Sequence, residues 1–156
     1  MALYDRKFEI VNPTLDRLIR RNFEIANPAL LDPSQANSLI DGEYMQLDSS
    51  YKLIRAADAS KPSFAIIEDR GDYGVQVHKR PAVVIGTYVA QTLVYATAIA
   101  SSPFGTALEV GTVNKASLGG VNRAGLVART TGLVVGYIMK PASADGQPLE
   151  YISTLA

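Results

Sequence analysis

The chain has 156 residues, of which 47% are hydrophobic and only 19% are charged, and its formal net charge is zero. This composition predicts one globular domain with a core rather than a disordered chain, and the lack of a basic excess argues against a nucleic-acid partner. With no cysteine and one histidine, disulfide frameworks, thiolate zinc sites and multi-histidine metal sites are excluded. The first ten residues are too charged for a signal peptide, and no apolar run approaches the roughly 20 residues of a membrane helix. We therefore expect a protein that is made and kept in a cytoplasm, without membrane insertion.

Residues 1–40, the arm, contain an internal repeat. The peptide RKFEIVNPTL, which begins at Arg6, recurs as RNFEIANPAL from Arg21, with seven of ten positions identical at an offset of 15. Each copy has a strand-like stretch followed by Asn-Pro. Proline donates no ladder hydrogen bond and pushes the preceding residue out of the α region. Each Asn-Pro is therefore predicted to end a strand or to start a turn or helix.

Two interpretations of the arm stay open: it packs on its own domain, or it extends and docks on neighbouring subunits by strand addition or in a groove. We favour docking, because a repeated peptide could meet two similar surfaces. The basic cluster in the arm fits docking too, since guanidinium groups suit interface carboxylates, although a solvated face fits equally well. The hypothetical partner-contact residues are Phe8, Ile10, Asn12, Pro13, Arg17, Arg20, Arg21, Phe23, Ile25, Asn27 and Pro28.

From Asp41 onward, short apolar runs punctuated by glycine are typical of β-strands. One hairpin is predicted from residues 43–47 and 51–56, and a closing hairpin from residues 133–139 and 149–153. Glycine-rich residues 117–125 are predicted to form a mobile loop. Further strands are predicted at 62–67, 75–79, 82–89 and 92–96, and at 106–110 and 112–116 on either side of a turn or bulge at Gly111.

Many short strands without a long helical period predict a mainly β fold. The expected architecture is a small β-barrel, or β-tulip-like, body over residues 41–156 with an extended N-terminal arm over residues 1–40. Gly86 and Gly136 lie inside strand patterns, as glycines do where barrel strands bend sharply.

Candidate catalytic and metal-binding residues are few. His78 has no paired carboxylate nearby in sequence and is interpreted as a surface strand residue. Glu68, Asp69 and Asp72 cluster, but the EF-hand spacing is absent and Arg70 intrudes, so a solvated loop is favoured over a calcium or magnesium site. The glycine-rich loop lacks the lysine and following Ser or Thr of a P-loop. The sequence therefore predicts no catalytic residue, no metal and no cofactor.

Three segments of the body, in their order along the chain, resemble the β-barrel head decoration (cement) proteins of tailed bacteriophages. They begin at Asp41, Pro103 and Gly132 and read DGEYMQL followed by KLIRA, PFGTALEV followed by VNKA, and GLVVGYIMKP followed by DG and LEYI. The likeness covers residues 41–153 and does not extend to the arm.

The resemblance implies a non-enzymatic structural virion protein that binds the outer surface of the expanded phage capsid and cements neighbouring major capsid subunits. Its implied partners are the major capsid protein and itself, as a homotrimer or alternatively a dimer. Its implied location is the outer surface of the head, after synthesis in the bacterial cytoplasm. Two alternatives stay open: another β-rich virion component, such as a tail tube or connector, and a small β-barrel enzyme, such as a nucleotide hydrolase.

Overall fold

The protein folds into two antiparallel β-sheets that share one core. The structure, a computed structural model, describes residues 7–12, 19–67 and 80–154. The strands of these residues are β1 (Phe8–Asn12), β2 (Ile19–Asn22), β3 (Tyr44–Leu47), β4 (Leu53–Arg55), β5 (Phe64–Ile66), β6 (Ala82–Ile85), β7 (Val89–Thr92), β8 (Ala107–Val113), β9 (Arg123–Ala128), β10 (Gly136–Lys140) and β11 (Leu149–Ser153). Short 3-10 helices occupy Pro28–Leu31, Thr97–Ile99 and Ala116–Leu118.

One sheet has six strands in the order β1-β7-β11-β10-β8-β9, and the other has five in the order β2-β6-β5-β3-β4. Side chains alternate between the two faces of a strand, and β11 shows this alternation clearly. Its residues Leu149, Tyr151 and Ser153 are buried, whereas Glu150 and Ile152 are only partly covered. The six-stranded sheet therefore has an inner face and an outward face.

The largest hydrophobic cluster draws on both sheets. Tyr44 and Val84 come from the five-stranded sheet, and Leu108, Ile138 and Tyr151 from the six-stranded sheet. Removing this apolar surface from water is the main favourable contribution to folding. Since both sheets contribute to one cluster, neither buries its inner face without the other.

The mainly β prediction is confirmed, whereas the closed barrel is wrong. A parallel bridge between Tyr95 and Leu126 joins β9 to the segment after β7. There, the Leu126 N–H donates to the Val94 carbonyl at 3.0 Å and the Ala96 N–H donates to the Leu126 carbonyl at 2.9 Å. The error has a physical reason: short strands at close spacing suit sandwiches and barrels alike, and the spacing does not specify which strands pair.

Both predicted hairpins are confirmed. Strand β3 pairs with β4, with Met45 opposite Arg55. The Asp48 carboxylate in their turn accepts from the backbone N–H groups of Ser50 at 2.8 Å and Lys52 at 3.0 Å, a local bond pattern that favours turns. Strand β10 pairs with β11, although it begins at Gly136, later than predicted.

The turn or bulge predicted at Gly111 is wrong. Strand β8 runs through this residue and pairs with β9, which begins inside the segment predicted as a loop. Gly111 lies opposite Gly125. A Cβ at Gly111 would lie 2.8 Å from the Val127 side chain, and one at Gly125 would lie 2.7 Å from the Val94 carbonyl oxygen. These glycines therefore relieve crowding between strands rather than turn the chain.

The arm contributes strands to both sheets. Gly86, with a φ of 131°, lies between β6 and β7, where the chain passes from the five-stranded to the six-stranded sheet. The arm crosses between the sheets in the opposite direction, from the six-stranded to the five-stranded sheet. Its β1 pairs antiparallel with β7, and its β2 pairs antiparallel with β6. Strands β1 and β2 therefore form one edge of each sheet. The strand predicted at 75–79 lies outside the described residues.

Candidate functional site

The first copy of the repeat packs on the shared core. Phe8 is buried and meets Tyr88 edge-to-face, with ring centroids 6.1 Å apart. Ile10, also in β1, is partly buried against the same cluster. On another side of Phe8 lies Gly42, where a Cβ would be 2.8 Å from the Phe8 Cβ. Because Gly42 has no Cβ, its backbone can approach Phe8 closely and the phenylalanine side chain can be buried.

The second copy packs on a different cluster, in the five-stranded sheet. Ile25 is only 2% exposed and forms a parallel bridge with Leu53, while Phe23 is partly buried beside it. Asn27 accepts a hydrogen bond from the Ala29 N–H at 3.2 Å, and Pro28 begins the short helix that follows. This is a helix N-cap followed by proline at the first helical position. The prediction that Asn-Pro starts a turn or helix is confirmed for this copy.

Strand β2, which runs into the start of the second copy, presents its side chains to solvent. All four residues of Ile19–Asn22 are exposed, and Ile19 is 57% exposed. The Arg21 guanidinium lies 5.4 Å from the centre of the Phe23 ring, and the Asn22 amide donates to the Arg80 carbonyl at 2.7 Å. This edge therefore combines an apolar side chain with two arginines.

The predicted contact residues consequently fall into two groups. Four apolar residues of the repeat pack wholly or partly within this chain, whereas Arg20, Arg21, Asn27 and Pro28 are exposed. Asn12 ends β1. Pro13 and Arg17 lie outside the described residues. The structure thus places the exposed part of the predicted set around β2 and the start of the short helix.

A buried ion cluster, which sequence reasoning missed, ties the two sheets together. The Glu43 carboxylate, fully buried directly before β3, accepts from Arg55 Nε at 2.8 Å and from Arg123 Nη1 at 3.0 Å. Arg123, on β9, also donates to the Leu118 and Ser38 carbonyls at 2.6 and 2.8 Å. Buried charges need such partners. Because these residues are far apart in sequence, their pairing had no sequence signal.

Two further polar groups hold loops against the six-stranded sheet. Glu109 accepts from the backbone N–H groups of Thr130 and Gly132 and from the Thr130 hydroxyl. Burial by itself raises the pKa of the Glu109 carboxyl, but these hydrogen bonds outweigh it and hold the pKa below its usual value. Lys115 lies 3.8 Å from the centre of the Tyr95 ring and 2.5 Å from the Asp145 carboxylate.

Three buried tyrosines meet inside the core. The hydroxyls of Tyr44 and Tyr151 lie 2.8 Å apart, and Tyr88 packs edge-to-face on Tyr151. Burial raises the pKa of all three phenols. Since a phenol with a raised pKa stays protonated at neutral pH, this cluster is suited to packing rather than to proton transfer.

The outward face of the six-stranded sheet carries a row of apolar side chains, the outer stripe. In cross-strand register, Val89 lies opposite Ile152, Ile152 opposite Tyr137, and Tyr137 opposite Ala107. Tyr137 is 38% exposed. Two more exposed apolar side chains lie in strands of this sheet, Val11 in β1 and Met139 in β10.

A second row of the same face, the charged row, runs beside the outer stripe two residues further along β1, β7 and β11, and three residues further along β10, where the register shifts. Glu9 lies opposite Gln91, Gln91 opposite Glu150, and Glu150 opposite Lys140. The sequence did predict β10 and β11 as strands. Because both faces of β10 carry apolar residues, the alternation did not show which face is outward.

No group of three or more acidic or histidine side chains that could hold a metal occurs within residues 7–12, 19–67 and 80–154. His78 and the acidic residues Glu68, Asp69 and Asp72 lie outside those ranges. In the same part of the chain, no helix has the length and apolar character needed to span a membrane.

Comparison of the chain with protein-family models, with curated proteins and with solved structures found no match.

Proposed function

We propose that this chain is a non-enzymatic structural protein of a tailed-phage virion, which binds the outer surface of the expanded head and cements neighbouring major capsid subunits. The proposal draws on the resemblance of residues 41–153 to head decoration proteins. A chain with few charges and zero net charge suits a protein that works inside an assembly.

The observation that carries the proposal is the exposed edge strand β2. The opposite edge of each sheet is covered by the chain itself: at β4, the Leu53 N–H donates to the Glu24 carbonyl at 2.8 Å, and at β9, the Leu126 N–H donates to the Val94 carbonyl at 3.0 Å. Among the described strands, none pairs with the outer side of β2. An open edge with exposed apolar and basic side chains is suited to strand addition on a partner.

The burial pattern refines which arm residues contact the capsid in this proposal. Phe8 and Ile25 anchor the arm on its own body, and Ile19, Arg20 and Arg21 face the partner. Binding only the expanded head would stabilise that form by mass action. Several weak contacts in one assembly would raise the overall affinity through effective concentration.

The test is co-sedimentation of the purified protein with expanded and with unexpanded heads of its parent phage. We expect saturable binding to expanded heads alone. Arg21→Glu should weaken that binding at least about tenfold, because an interfacial charge reversal replaces attraction by repulsion. Lys61→Glu, the same charge change on an exposed loop residue, is the matched control and should bind normally.

Failure to bind either form of the head would refute the cement role. Rings or tubes of the protein seen on electron-microscope grids would then favour a tail-tube or connector role. Normal head binding by the Arg21→Glu variant would reject β2 as the contact while leaving the cement role in place.

A further inference from the structure

The outward face of the six-stranded sheet has a charge order that complements itself. Along the charged row, the strand order β1-β7-β11-β10 gives Glu9, Gln91, Glu150 and Lys140. An acidic group stands at one end of the row and a basic group at the other. Reversing the row and laying it on itself puts opposite charges together at both ends.

We infer that this face binds the same face of a second copy of the chain, about a twofold axis that runs along the strands between β7 and β11. Such a rotation reverses the order of the strands but leaves the position of each row along the strand direction unchanged. It places β1 against β10 of the second copy and β7 against its β11. The contact is isologous, so each interaction occurs twice.

The rotation pairs both rows favourably. In the charged row, Glu9 meets Lys140 of the second copy, and the Gln91 amide meets the carboxylate of Glu150 there. In the outer stripe, Val89 meets Ile152 of the second copy. Val11 lies at the same position along the strand direction as Tyr137 of the second copy. The same rotation therefore brings opposite charges together at both ends of the charged row and apolar side chains together in the outer stripe.

The dimensions of the face suit sheet packing. From β1 to β8 the outer stripe crosses four strand spacings, about 19 Å. Two twisted sheets pack face to face at about 10 Å separation, with their strands within about 30° of one another. Exposed apolar side chains in a contiguous band are typical of interaction sites. The arrangement gives a dimer, the alternative to the homotrimer among the two states implied by the resemblance, and it does not depend on capsid binding.

Sedimentation velocity over a concentration series up to about 1 mM, which detects dissociation constants up to the millimolar range, tests the inference. We expect the wild-type chain to pass from monomer to dimer. Lys140→Glu and Glu9→Lys each turn both end contacts into like-charge pairs, so each variant alone should dimerise at least about tenfold more weakly.

Mixing these two variants gives the decisive result. In a mixed dimer, the native Glu9 of one chain faces the native Lys140 of the other, and the two reversed residues face each other with opposite charge. The mixture should therefore recover dimers that neither variant forms alone. Tyr51→Asn, which removes an exposed aromatic from the β3–β4 turn, is the control and should leave the wild-type affinity unchanged.

Three outcomes would overturn the inference: a wild-type chain that stays monomeric through the whole series, an oligomer that is insensitive to both charge reversals, or variants that fail to recover on mixing. A trimer would overturn it as well, since a closed isologous contact joins only two chains.

Discussion

Glu109 shows how one buried carboxylate can make the stability of the fold depend on pH. Hydrogen bonds from Thr130 and Gly132 lower its pKa in the folded protein. A carboxyl whose folded pKa is depressed stabilises the fold above its unfolded pKa, about 4.3, and loses that contribution as the pH falls through the folded value.

We therefore expect Glu109→Gln to lower the free energy of unfolding at pH 7. The difference in this free energy between wild type and variant should become smaller below about pH 4. Urea unfolding at several pH values measures both quantities. Glu24→Gln, at an exposed carboxyl, is the control for a general charge effect. A gap that stays constant down to about pH 2 would show that the Glu109 carboxylate makes no pH-dependent contribution.

At the scale of the element, the packing of β1 depends on Gly42, which has no side chain to collide with Phe8. Gly42 has a φ of 89°, and a Cβ there would press on Phe8, whereas Gly146 has a φ of 84° and open space around it. Gly42→Ala and Gly146→Ala meet the same backbone penalty, so the difference between them isolates the contact with β1.

We expect Gly42→Ala to lower the free energy of unfolding by about 1–3 kcal/mol more than Gly146→Ala, the usual cost of overpacking. Thermal and urea unfolding measure the difference. Faster proteolysis within the arm of the Gly42→Ala variant would locate the damage at β1. Equal destabilisation by the two substitutions would mean that the Phe8 side chain moves aside without lowering the free energy of unfolding.

The elements that sequence could predict are those specified by neighbours in the chain. The β3–β4 hairpin follows from alternation and from Asp48, which binds its own turn. The role of Gly111 was misassigned because it is set by Val127 and Gly125 across the sheet. The exposure of β2 could be suspected from its arginines. The order of the charged row could not, since it exists only once β1, β7, β11 and β10 are paired.

At the scale of the whole molecule, the ion cluster couples the two sheets. Arg123→Met would remove the β9 side of this cluster and leave Glu43 with Arg55 and the Ile40 N–H. Breaking a buried ion pair by removing one partner costs about 3–5 kcal/mol, and we expect a loss in that range. Arg55→Met, at a side chain that is 22% exposed, should cost less.

Urea unfolding followed by tyrosine fluorescence and by circular dichroism measures these losses. The two probes should give coincident transitions for the wild-type chain, because its main cluster draws on both sheets. Separate transitions, or a loss below about 1 kcal/mol for Arg123→Met, would mean that the sheets are stabilised independently.

The path of the arm also bears on the order in which the protein folds during synthesis. Phe8 is made long before its strand partner Thr92, and β2 is likewise made before β6. Contacts between residues so distant in sequence form slowly. While the ribosome adds the intervening residues, at about 5–20 per second, β1 and β2 lack their partner strands. Nascent chains growing side by side could exchange their identical arms in that interval, so the yield of correctly folded protein should fall when synthesis is crowded.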